Sequence, residues 1–138
     1  MTRETLPEKH SEIDLHCAAC GVLIAAGLDA LPAEQLQTMD GEDALPQGRY
    51  SVANADNDCG FTPGAYLINL ADAHNTLPHA DPSRRCGCCG VDGGNGLNTL
   101  CANGHEIGTE YSDCWMSHHL TLDPARVTIK EHTNKEAA

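Results

Sequence analysis

The sequence predicts a mostly-β fold of short antiparallel strands joined by long loops, with a small α+β arrangement as the alternative, and three observations carry that reading. Apolar residues recur in runs of strand length, and none keeps a helical period long enough to organise a bundle. Between the runs lie stretches dense in Gly, Pro, Asp and Asn, the residues of turns and loops. Aromatic residues make up only 4% of 138 residues, while the chain carries eight cysteines and eight histidines. A single domain of this length with so few bulky core-filling side chains is expected to rely on cross-links as well as apolar burial.

In chain order, residues 1–12 are polar and charged and read as a flexible tail, as do residues 131–138, leaving 13–130 as one domain. "LPAEQLQTM" at 31–39 predicts a short helix, with Pro32 suited to its first turn and Glu34 to its positive end. "RYSVAN" at 49–54 alternates as a strand does, and "GAYLINLAD" at 64–72 is apolar enough for a buried one. "HHLTL" and "RVTIK", on either side of Asp123-Pro124, predict a terminal hairpin with Leu120 and Leu122 on one face, then Val127 and Ile129. "MDGEDALPQG" (39–48) and "HNTLPHADPSRRCGCCGVDGGNG" (74–96) are loops, and the second is long enough to require something that fixes it.

Cysteine and histidine spacing supplies the fixing chemistry. "HCAACG" places two residues between Cys17 and Cys20, with Gly21 following. This spacing lets two thiolates reach one tetrahedral ion while glycine allows a tight turn. The rival reading, a thioredoxin-like redox pair, needs a helix start within a βαβ unit, whereas Gly21, Val22 and Ile24 make a poor helix. Cys101 and His105 flank an Asn103-Gly104 turn and form a second pair able to converge. Cys114 and His118 have the same spacing, and His118 is in phase with Leu120 and Leu122, so it is expected to face inward and His119 to face solvent. Cys88 and Cys89 are adjacent, with Cys86 as an alternative ligand, and Cys59 reads as a free buried thiol.

Eight ligands fill two tetrahedra. Cys17, Cys20, Cys101 and His105 form one expected Zn²⁺ site, and Cys88, Cys89, Cys114 and His118 the other. A single ion held by Cys17, Cys20 and two later cysteines is the competing division. The sequence thus predicts a compact zinc-stabilised domain with one or two ions.

The segments "CAACG" and "CANGHE" resemble those of zinc-ribbon and related small zinc-binding proteins, in which such turns join two strands. In this resemblance His105 stands where a second cysteine is usual. Residues 86–127 also resemble a block of uncharacterised bacterial proteins carrying "GCCG", "DG" and "SDCW", which implies no activity.

Lys and Arg number 8 against 20 Asp and Glu, a formal charge of -12 without a basic patch. Nucleic acid is therefore not an expected partner, because its phosphates would be repelled over most of the surface. The N-terminal stretch lacks the apolar core of a secretory signal and no stretch is long enough for a membrane span, so a reducing, cytoplasmic setting is expected, where clustered cysteines favour metal over disulfides. No H-E-x-x-H, G-x-S-x-G, zinc-deaminase or EF-hand pattern is present. The expected function is a non-catalytic structural zinc protein serving as an accessory or protein-interaction module. A metal- or redox-responsive thiol protein using Cys86, Cys88 and Cys89 is the alternative, and a zinc hydrolase with an open metal position comes third.

Overall fold

A computed structural model describes residues 12–37, 39–53, 64–94 and 96–132. Cys59, most of the N-terminal tail and residues 133–138 lie outside these. The fold is mostly β. Among the described residues, nine strands, β1 (Ile13–Cys17), β2 (Leu23–Ala30), β3 (Arg49–Val52), β4 (Tyr66–Ile68), β5 (Thr76–Pro78), β6 (Thr99–Cys101), β7 (Glu106–Tyr111), β8 (His119–Leu122) and β9 (Val127–Glu131), form one mixed sheet.

Their order is β5-β6-β7-β8-β4-β3-β2-β1-β9. Every pairing is antiparallel except β2 with β3, which are joined by the long connection over residues 31–48. A parallel neighbour cannot be reached through a tight hairpin, so the length of that loop follows from the topology. Within β2, Gly27 takes φ +68° and gives its N–H to Asp14 Oδ1 (2.9 Å), where the β1–β2 register slips by a residue. This bulge bends the strand pair.

The sheet bends back on itself around its main core. Leu15, Ile24 and Leu28 of one limb share that core with Ile107, Leu120 and Leu122 of the other, and with Ile68 between them. Hydrogen bonds from Ala18 N to Arg126 O (3.0 Å) and from Asp123 N to Ile107 O (3.0 Å) stitch the ends of the strands. Five strands separate β6 from β1 along the sheet, yet Cys17 and Cys101 belong to the same core. The bend thus carries the two cysteine turns toward each other.

Several local expectations are corrected. The strand expected over 64–72 stops at Ile68, because the Asn69 side chain accepts Ala71 N (2.8 Å) and starts a 3-10 turn at Leu70–Asp72. The helix expected at 31–39 is reduced to a 3-10 turn, Ala33–Gln35. β8 and β9 do not pair as a hairpin: β8 lies between β7 and β4, whereas β9 crosses to β1. Ile129 is consequently 41% exposed while Val127 is buried. The long loop over 74–96 contains β5 and a 3-10 turn, Pro82–Arg84. No helix among the described residues is long and apolar enough to cross a membrane.

Candidate metal centre

Two turns of related build face each other. In the first, at the end of β1, Gly21 N donates to Cys17 O (2.7 Å) and Cys17 N to Val22 O (2.9 Å). Gly21 adopts φ +82°, a conformation favouring glycine. In the second, between β6 and β7, Gly104 N donates to Cys101 O (2.8 Å), Cys101 N to His105 O (2.8 Å), and Gly104 takes φ +88°. Each turn reverses the chain within a few residues and leaves two ligand side chains on the same side.

One ligand atom from each of Cys17, Cys20, Cys101 and His105 lies within 4.8 Å of the other three. Zinc bonds of about 2.3 Å to sulfur and about 2.0–2.1 Å to nitrogen, at tetrahedral angles, set S···S edges of about 3.8 Å and S···N edges of about 3.6 Å. Cys20 Sγ and Cys101 Sγ are 3.7 Å apart. His105 Nδ1 stands 3.3 Å from Cys101 Sγ and 3.8 Å from Cys17 Sγ. These edges match a tetrahedral Cys3His site, with Nδ1 as the histidine ligand.

The surroundings of Cys20 and Cys101 favour thiolate, the form that binds metal. Asn103 contributes twice, its side-chain Nδ2 donating to Cys20 Sγ (3.2 Å) and its backbone N to Cys101 Sγ (3.4 Å). The Asn103 side chain, then the Val22 amide, lowers the Cys20 thiol to about 6. Burial raises Cys101, but the amides of His105 and Asn103 outweigh it and the thiol lies below its usual range. Cys17 is pushed up, chiefly by burial. The neighbouring Cys101 and Cys20 sulfurs raise His105. Asn103 was missed as a functional residue because an Asn-Gly pair already has a sufficient local explanation as a turn.

A groove of about 350 Å³ beside this cluster is lined by Cys17, Ala18, Ala19, His105, Glu106, Ala125 and Arg126. Both charged side chains in it are engaged. Glu106 contacts His79 at 2.8 Å, Arg84 at 3.4 Å and Arg126 at 3.9 Å. Led by the His79 hydrogen bond, these neighbours hold its carboxyl below the usual range, which suits an ion pair better than a proton acceptor near neutral pH.

The other expected ligands part company. Cys88, Cys89 and Cys114 converge on the protein surface, with all three sulfurs within 4.8 Å of one another. Cys89 and Cys114, expected as ligands of one ion, are joined by a disulfide, their Cα atoms 5.9 Å apart. His118 does not join them: its Nε2 lies 2.9 Å from Asp113 O. Cys86, the alternative ligand, directs its Sγ to Ser83 O (3.3 Å). His119, expected at the surface, is 2% exposed and stacks on Tyr111 with ring centroids 4.7 Å apart. The reason is that β8 is a central strand buried on both faces, so alternation along it does not separate inside from outside.

Beside the Cys89–Cys114 disulfide, a pair of arginines and one carboxylate fix the long loop. Arg84 donates to Leu97 O (2.7 Å), and Arg85 to Asn98 O (3.1 Å) and Glu110 Oε1 (3.2 Å). Asp113 is wholly buried and accepts the amides of Cys88 (2.9 Å), Cys89 (3.0 Å) and Cys114 (2.7 Å) together with the Trp115 indole N–H (2.8 Å). The Cys89 and Cys88 amides are the main cause of its fall to about 2. Arg84-Arg85, the one adjacent basic pair, therefore holds this loop to the rest of the fold.

No protein-family model matches the chain, and no curated protein or solved structure matches it either.

Proposed function

We propose that this chain is a non-catalytic structural zinc protein, an accessory or protein-interaction module closed by one Zn²⁺ on Cys17, Cys20, Cys101 and His105. The observation that carries the reading is the tetrahedral spacing of those four ligand atoms where the two limbs of the bent sheet meet. Four protein ligands leave no position for a reacting water, the hallmark of a structural rather than catalytic zinc. Two short turns facing each other across the ion also support the zinc-ribbon likeness. A second zinc is not assigned here, because only three sulfurs converge at the other cluster and two are bonded together.

An acidic surface argues for a protein partner over nucleic acid, and Trp115, 57% exposed while its indole N–H is held by Asp113, is a side chain suited to such a contact. The ligand set is tested by metal analysis of single variants. Cys17→Ser, Cys101→Ser and His105→Ala should each lose the same one zinc per chain, and Cys114→Ser should lose none. Full zinc content in Cys101→Ser, or its loss in Cys114→Ser, would refute the assignment.

A further inference from the structure

The surface cluster is a second built site with chemistry of its own. We propose that Cys88, Cys89 and Cys114 form a three-thiolate site for one soft, thiophilic metal ion, opened and closed by the Cys89–Cys114 disulfide. Cys88 Sγ lies within 4.8 Å of both disulfide sulfurs, so reduction leaves three thiolates side by side, a number that suits a soft ion such as monovalent copper. With the disulfide closed, only the Cys88 thiol remains to bind. The two states are mutually exclusive.

The scaffold keeps the sulfurs together whichever state they are in. Asp113 holds the amides of Cys88, Cys89 and Cys114, bonds that do not depend on sulfur chemistry. Val91 and Ser112 are tied in both directions, with Val91 N donating to Ser112 Oγ (3.1 Å) and Ser112 N to Val91 O (2.8 Å). A β-carbon on Gly87 would collide with the Gly90 carbonyl, and one on Gly90 with the Ser112 carbonyl, so the loop lies against its partner at backbone distance. Opening the disulfide removes one of several ties. All three cysteines are exposed, unlike buried Cys17 and Cys101, so ions and small thiols have access.

The switching chemistry is thiol–disulfide exchange with a low-molecular-weight disulfide. One protein thiolate attacks it and releases one small thiol, leaving a mixed disulfide. The second protein thiolate then displaces the other small thiol and forms the Cys89–Cys114 bond. Two protein thiols are oxidised, one small disulfide is reduced to two thiols, and the two protein protons end on those thiols. Excess small thiol reverses the sequence.

The test uses full-length protein with zinc content followed throughout, so failure here is distinct from failure of the zinc assignment. Protein reduced by a phosphine under inert gas is titrated with monovalent copper supplied from a competing chelator, then compared with protein oxidised by glutathione disulfide. The reduced chain should take up one copper while retaining zinc. Oxidation should lower its mass by about 2 Da, map to Cys89–Cys114 and weaken copper binding at least about tenfold. Cys88→Ser should still form the disulfide but bind copper at least about tenfold more weakly when reduced, since even outer-shell partners are worth about 10–100-fold. Cys114→Ser should be unable to form the disulfide and should bind copper as weakly as Cys88→Ser does, and Cys86→Ser should change neither property. Equal copper affinity in both redox states, no copper uptake by the reduced zinc-bound chain, or uptake only by displacing zinc would overturn the proposal.

Discussion

Replacing Asn103 by alanine removes the Nδ2 donor from Cys20 Sγ while keeping the Asn103 backbone N–H on Cys101 Sγ. That side-chain bond is the largest cause of the fall of the Cys20 thiol from its ordinary 9.0 to about 6. Protons compete with zinc for the sulfur, so apparent affinity rises with pH until the thiol is ionised. At pH 7 a thiol of about 6 is about nine-tenths thiolate, whereas one of about 9 is about 1% thiolate. Full restoration of the ordinary value would therefore cost about 90-fold in apparent affinity. Other donors, the Val22 amide first among them, remain in the variant, so the expected loss at pH 7 is about 10–90-fold. Competition with a chromophoric chelator from pH 6 to 9 measures it. The ratio of wild-type to variant affinity should shrink toward pH 9, where both thiols are substantially ionised. A variant within about threefold of wild type at pH 7, or a ratio independent of pH, would refute the role given to Asn103.

Gly90→Ala should destabilise the fold by about 1–3 kcal/mol, because its β-carbon has no room beside the Ser112 carbonyl; thermal unfolding reads this out. His119 is lowered to about 4, chiefly by burial and secondarily by His118, so it is neutral in the folded chain. An unfolded histidine binds a proton below about 6.5, so stability is present above that value and falls as pH drops toward about 4, by about 3 kcal/mol in all. His119→Gln should lose this part of the pH dependence in denaturant unfolding measured at pH 7 and pH 5. His118→Ala should leave zinc content unchanged, since His118 Nε2 lies against Asp113 O rather than among the converging sulfurs; metal analysis checks it.

The features legible in the sequence were those written in local turn chemistry. Cys17 to Gly21 and Cys101 to His105 each specify a short reversal that carries two Cys or His side chains, and grouping those four anticipated the convergence of Cys20 and Cys101 across 81 residues, whereas the same count of eight wrongly added His118 to the second group. Strand partnership was not legible. β8 and β9 alternate well and flank a Pro, but their neighbours are chosen by the bend of the whole sheet, which places β9 against β1. His119 was misplaced for the same reason: period-two reasoning assumes one wet face, and β8 has none. Arg84-Arg85 and Asp113 gave no signal of their role, since charged residues in loops read as solvated until their backbone partners are known.

In the proposed role, zinc closes the seam between the two limbs of the sheet. Native mass spectrometry of the purified, reduced chain, before and after a strong chelator and with unfolding followed in parallel, tests that role. One zinc should be bound at first. Its removal should cause a large loss of stability, because structural zinc binding contributes about 10–16 kcal/mol in small zinc domains, as much as the whole stability of a typical one. A chain that is metal-free as purified yet folded, or that loses zinc to the chelator with its unfolding midpoint unchanged, would contradict a structural role for zinc.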